Sequence, residues 1–66
     1  LDNDLGDAEI RFLKLVCTEK TYKEMAKELK ITDRHLEYMR QLLFERFNVT
    51  SRTGLAIIAM RKGLAV

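Results

Sequence analysis

Apolar residues recur at spacings of three and four along the chain, and no proline interrupts them. This is the period of an α-helix, whereas the alternation typical of strands is absent. The chain has 66 residues, enough for one small domain, whose core supplies only about 3–5 kcal/mol of net stability. We therefore predict an all-α fold, a compact four-helix domain with helices at about 7–18, 22–29, 33–47 and 51–62.

Capping signals set most of these boundaries. Thr21 and Glu24 have the capping-box spacing, Thr32 precedes the third helix, Thr50 or Ser51 precedes the fourth, and Gly63 marks its end. At the start of the first helix, Glu9 follows Gly6 by three residues, and we expect its carboxylate to cap that end. The predicted inward residues are Phe12, Leu13 and Val16, then Met25, Ala26 and Leu29, then Leu36, Met39, Leu43 and Phe47, and finally Leu55, Ile58 and Ala59.

The third helix is the most informative element. Only residues 30–32 separate it from the second helix, and a short helix joined by a tight turn to a longer one is the helix-turn-helix arrangement. Its outer face mixes donors, acceptors and an aromatic ring instead of a run of Lys and Arg, which suits contact with base edges. The side chains on this face are Arg34, Glu37, Tyr38, Gln41 and Glu45.

Composition narrows the possible functions. The net charge of +2 divides into −3 over residues 1–19 and +5 over residues 20–66, which favours a polyanionic partner. A single Cys17 and a single His35 leave no basis for a disulfide framework, a metal site or a catalytic set, so we expect no enzyme activity and no cofactor. No apolar run approaches the roughly 18 residues of a membrane span, and we expect a cytoplasmic protein.

The fourth helix is apolar on all sides between residues 55 and 60. One stripe is needed for the core, and the other predicts a partner surface. We favour self-association into a homodimer, with contact to another domain of a longer protein as the alternative. The residues predicted for this second stripe are Ala56, Ile57, Met60 and Leu64.

Several motifs in order resemble the LuxR-type helix-turn-helix domain over about residues 5–64. They are Leu5 and Glu9 followed by Phe12-Leu13-Lys14-Leu15-Val16, then Lys23-Glu24-Met25-Ala26-Lys27-Glu28-Leu29, Ile31-Thr32, Val49-Thr50-Ser51-Arg52-Thr53 and Arg61-Lys62-Gly63-Leu64. The resemblance implies the output domain of a bacterial transcription regulator, such as a NarL-like two-component response regulator. It also implies that the third helix enters the major groove of double-stranded DNA and that the fourth helix mediates dimerisation. We expect residues 1–5 to end a linker from an absent N-terminal receiver or sensor domain and residues 6–66 to form the DNA-binding domain.

The resemblance also assigns roles to single positions. Glu37, Tyr38 and Gln41 fall where relatives commonly contact bases, with Arg34 and His35 at the start of the same helix. Residues that open the second and fourth helices fall where a phosphate is held, and exposed basic residues add further phosphate candidates. The predicted phosphate-binding set is Lys20, Thr21, Tyr22, Lys23, Lys27, His35, Arg40, Arg46, Ser51 and Arg52.

Some residues depart from the pattern of the family. Gly6-Asp7-Ala8 replaces the usual Thr-Pro-Arg-like start, Glu19 or Lys20 replaces a loop glycine, and Met39 replaces a frequent His. Glu37 stands where Lys or Asn is common, and a carboxylate accepts most naturally from the cytosine N4 amino group.

Three other functions remain open. The first alternative is a helical protein-interaction module that keeps the fold without the DNA-reading face, which the acidic Glu37 and Glu45 favour. A promoter-reading domain of a sigma factor would act in a similar way, but the resemblance extends beyond the two helices that such domains share. An enzyme is least favoured, because Cys17 lies on an apolar helix flank and His35 has only Asp33 nearby.

Overall fold

The structure, a computed structural model, describes residues 5–64. Within that range the chain forms α1 (Asp7–Val16), α2 (Tyr22–Leu29), α3 (Asp33–Phe47) and α4 (Arg52–Arg61), and no strand. The predicted all-α four-helix fold is therefore confirmed, with α2 and α3 at the predicted residues. The first helix ends two residues earlier than predicted, and α4 loses one residue at each end because Ser51 and Lys62 are its caps.

Side chains cap the helix starts as the sequence indicates. The Thr21 N–H donates to Glu24 Oε1 at 2.7 Å, and the Glu24 N–H donates to Thr21 Oγ1 at 3.2 Å, which completes the capping box. The hydrogen bond from the Thr21 backbone lowers the pKa of Glu24 below its ordinary 4.5. At the first helix, the Gly6 N–H donates to Glu9 Oε1 at 2.5 Å, as expected for Glu9.

The other two helices begin in the same way. The His35 N–H donates to Thr32 Oγ1 at 3.0 Å, and the Gly54 N–H donates to Ser51 Oγ at 3.2 Å, so Ser51 and not Thr50 is the cap of α4. Each hydroxyl satisfies one of the N–H groups that a helix start leaves without a partner.

Three helices end through a residue in the left-handed conformation. Lys30 has φ 60° and ψ 42°, Asn48 has φ 55°, and Gly63 has φ 73°. After Lys30, the Ile31 N–H donates to the Ala26 carbonyl at 3.0 Å, which closes a Schellman turn. The connection takes only residues 30–32 and leads directly into α3.

The helices pack in a closed ring, because α1 contacts α2 and α4, and α3 contacts the same two helices. The first turn of α4 lies close to the loop that leads into it, since a Cβ on Gly54 would lie 2.8 Å from Val49 Cβ. The fully enclosed side chains at the centre include Phe12, Leu13, Met25 and Leu55. One side of α3 packs against α2 and α4, and the other side is exposed to solvent.

The core differs from the prediction at its edges. Leu5 was assigned to the linker but is only 8% exposed and belongs to the core, so the packed domain begins before residue 6. The rest of the predicted linker, residues 1–4, lies outside the described residues, as do residues 65–66. Leu15 is also buried, whereas Leu29, Phe47 and Ile58 are only half-buried.

Candidate nucleic-acid interface

The outer face of α3 carries all four residues predicted to read bases. Arg34, Glu37, Tyr38 and Gln41 are exposed, and Tyr38 is 63% exposed although aromatic residues usually bury much of their area. The core positions Leu36, Met39 and Leu43 point to the other side of the same helix. The face is therefore not used for packing within the domain.

The start of α2 lies beside this face. A shallow depression joins the two helices and is lined by Tyr22, Lys23, Asp33, Leu36, Glu37 and Arg40. Lys23 is exposed there, and the N–H groups of a helix start favour an anion; Thr21 is exposed just before it, but its hydroxyl is engaged in capping α2. Of the predicted base-reading residues, Glu37 lines this depression together with Tyr22 and Lys23, whereas Arg34, Tyr38 and Gln41 lie farther along the same face of α3.

Arg40 does not extend into solvent as its predicted phosphate role requires. Its guanidinium carbon lies 4.9 Å from the centroid of the Tyr22 ring and 5.8 Å from that of the Phe44 ring. Its Nη2 lies 4.0 Å from Glu37 Oε2, and its side chain is 26% exposed. The Nε is buried without a hydrogen-bond partner among the described residues. Arg40 is therefore packed against Phe44 of its own helix and Tyr22 of α2, and the sequence pattern did not connect it with Tyr22.

Arg52 opens α4 as predicted, and its side chain contacts the end of α1. Its Nη2 donates to the Thr18 carbonyl at 2.6 Å, and its Nε donates to the Val16 carbonyl at 3.2 Å. The guanidinium carbon lies 5.4 Å from the centroid of the Tyr22 ring. A cation is favourable at the carbonyl end of a helix, so Arg52 joins α4 to the end of α1. These contacts give Arg52 a packing role in the domain, and its phosphate contact stays a prediction.

The remaining phosphate candidates are spread over the surface. Lys20 pairs with Glu28 at 3.3 Å, while Lys27 and His35 are exposed. The Ser51 hydroxyl is engaged in capping α4. Arg46 lies on the other flank of α3, where it lines a depression with Glu9, Leu42, Leu43 and Glu45. Lys20 directly precedes the cap of α2, but the other members of this group do not line the depression at the start of that helix.

The predicted second stripe of α4 is narrower than expected. Ile57 is 45% exposed and Met60 is 63% exposed, as an outer face requires. Ala56 and Leu64 are half-buried and pack against the domain's own core. The Ala56 carbonyl lies 3.9 Å from the thiol of Cys17, which is half-buried and also contacts the Leu13 carbonyl.

Sequence reasoning missed Leu42, which is 44% exposed on α3. It lies one turn after Tyr38, so the (i, i+4) spacing of two large side chains off the core stripe was the available signal. The contacts of Arg40 and Arg52 with Tyr22 left no such signal, because they join residues on different helices.

Within residues 5–64, no group of three His, Cys, Asp or Glu side chains is placed to hold a metal ion. None of the four helices is long and apolar enough to cross a bilayer. Comparison of the chain with protein-family models, with curated proteins and with solved structures found no match.

Proposed function

We propose that this chain binds double-stranded DNA and reads its sequence by placing α3 in the major groove. The observation that carries the proposal is the exposed face of Arg34, Glu37, Tyr38 and Gln41, directly after a three-residue turn. The major groove is about 12 Å wide and admits one helix whose side chains then meet the base edges. The resemblance to LuxR-type domains supports the same placement.

The start of α2 is the best-supported position for a backbone phosphate. Lys23 is exposed there, beside the N–H groups of the first turn and next to the reading face. Phosphate contacts at this point would fix the register of α3 without contributing sequence information. The net charge of +5 over residues 20–66 supplies the general attraction to a polyanion.

We further propose that the chain is the output domain of a bacterial response regulator that acts in the cytoplasm. A homodimer would form through Ile57 and Met60 of α4, the two exposed apolar side chains of that helix. A receiver or sensor domain on the N-terminal side would control pairing. These proposals rest on the resemblance and on the exposed apolar face.

The test is a titration of the domain against a fluorescent mixed-sequence duplex at several salt concentrations, read by anisotropy. We expect the logarithm of the association constant to fall with the logarithm of salt concentration, by about 0.9 per phosphate neutralised. Absence of binding at low salt would overturn the proposal.

A protein-interaction module is the second candidate, and one observation favours it. Tyr38 and Leu42 are 63% and 44% exposed and lie one turn apart on α3, a pair that suits a groove on another protein. The acidic Glu37 and Glu45 flank them. This candidate predicts no affinity for DNA and a protein partner that is lost when Tyr38 and Leu42 are both replaced by Ala.

A further inference from the structure

Two aromatic rings hold the guanidinium of Arg40 beside the reading face. The Tyr22 and Phe44 rings lie within 6 Å of its guanidinium carbon, a distance at which ring and cation attract. Its Nε is enclosed. The side chain therefore cannot swing outward to a phosphate without leaving both rings.

The same anchored guanidinium faces the carboxylate of Glu37. Their closest charged atoms, Arg40 Nη2 and Glu37 Oε2, are 4.0 Å apart, and the Glu37 side chain is 71% exposed. An exposed ion pair is usually weak, because two flexible side chains must be ordered together. Here the rings have already ordered one of the two, so only the carboxylate remains to be oriented.

We propose that Arg40 is a positioning residue that holds the Glu37 carboxylate at the edge of the major groove and so sets the base preference at one position. The inference rests on the proposed DNA-binding function and names the determinant of its specificity. Arg40 also offsets the negative charge of Glu37, which would otherwise repel the phosphates on both sides of the groove.

The chemistry of the carboxylate indicates which base is preferred. An ionised carboxylate only accepts hydrogen bonds, and in the major groove cytosine presents the N4 amino donor. Guanine presents two acceptors and thymine one, and both repel the carboxylate. Adenine presents a donor with an acceptor beside it. A fixed carboxylate therefore favours cytosine, whereas a mobile one can turn away from an unsuitable base.

The experiment begins with selection of a preferred duplex from a randomised pool by the wild-type domain. Glu37→Gln then identifies the base pair read by Glu37 as the one whose preference relaxes. Affinities for the four bases at that pair are compared for the wild type, Arg40→Met and Arg40→Lys. Arg11→Met, which removes an equal charge from an exposed site on α1, is the matched control, and thermal melts establish that each variant is folded.

We expect the wild type to prefer cytosine by roughly ten- to a hundredfold, the range of a good direct base contact. Arg40→Met reduces this ratio to within about threefold of unity, Arg40→Lys restores part of it, and Arg11→Met leaves it unchanged. In the double variant with Glu37→Gln, Arg40→Met causes no further loss, because both changes remove the same contact.

Three results would overturn the inference while leaving DNA binding intact. The first is an unchanged base ratio in Arg40→Met. The second is an equal loss of affinity for all duplexes with a salt slope reduced by about one, which identifies Arg40 as a phosphate contact. The third is a Glu37→Gln variant that relaxes no base pair. Failure of the wild type to bind any duplex would instead overturn the proposed function, and this inference with it.

Discussion

Replacing Arg52 by Met tests whether this residue holds the domain together. The substitution keeps a stem of similar length but removes the donors that reach the Thr18 and Val16 carbonyls at 2.6 and 3.2 Å. It also removes the cation from the carbonyl end of α1 and from the Tyr22 ring. We expect a large loss of stability, because α1 and α4 are joined at this point.

The magnitude follows from these contacts. A hydrogen bond to a charged group contributes about 1.5–3 kcal/mol when buried, and less here because Thr18 is exposed and the Val16 contact is long. With about 0.5 kcal/mol from the end of the α1 dipole, we expect a total loss of about 2 kcal/mol. In a domain this small, that corresponds to a fall in Tm of about 10 °C.

The assay is urea and thermal unfolding followed by circular dichroism, with Arg11→Met as the control for loss of one exposed positive charge. Surface changes of that kind usually stay within about 0.5 kcal/mol. If Arg52→Met unfolds within the same range as the control while DNA affinity falls, then Arg52 is a phosphate contact and our assignment of a packing role is wrong.

Further predictions concern the turn after α2, the cap of α2 and the DNA contacts. Lys30→Gly should raise the free energy of unfolding by about 0.5–1 kcal/mol, because glycine adopts the left-handed φ of 60° without a Cβ penalty. The control Lys27→Gly, inside α2, should lower the free energy of unfolding by about 1 kcal/mol. Equal effects of the two substitutions in urea melts would contradict this reasoning. Because the pKa of Glu24 is lowered in the folded state, its ionised carboxylate stabilises the fold above pH 4.5, and this stability is lost as pH falls through the lowered pKa. Glu24→Gln should therefore reduce the fall in Tm below pH 4.5. An unchanged dependence of Tm on acid pH would refute the capping role. In competition anisotropy, Gln41→Ala should reduce discrimination between duplexes by about 1–3 kcal/mol, whereas Lys23→Ala should weaken binding to all duplexes alike. An unchanged sequence preference in Gln41→Ala would remove that residue from the reading face.

Helix positions could be predicted from the sequence because their signals are local. Spacings of three and four and the caps at Thr21, Thr32 and Ser51 act within a few residues, and they placed α2 and α3 at the observed bounds. The outer face of α3 followed from the same periodicity, since the residues opposite a core stripe must face outward.

The tertiary structure alone decided what the long basic side chains do. Arg40 and Arg52 carry the positive charge expected of phosphate contacts. Both nevertheless lie against the Tyr22 ring, and Arg52 also donates to a carbonyl at the end of α1. A flexible cation takes the best acceptor or ring within its reach, and which groups are in reach depends on how the helices pack. The burial of Leu5 also depends on how the helices pack, so only the tertiary structure shows that this residue belongs to the core. Local spacing thus determined the positions of the helices and the outer face of α3, whereas the contacts between helices determined which residues of α4 stay exposed and what Arg40, Arg52 and Leu5 contact.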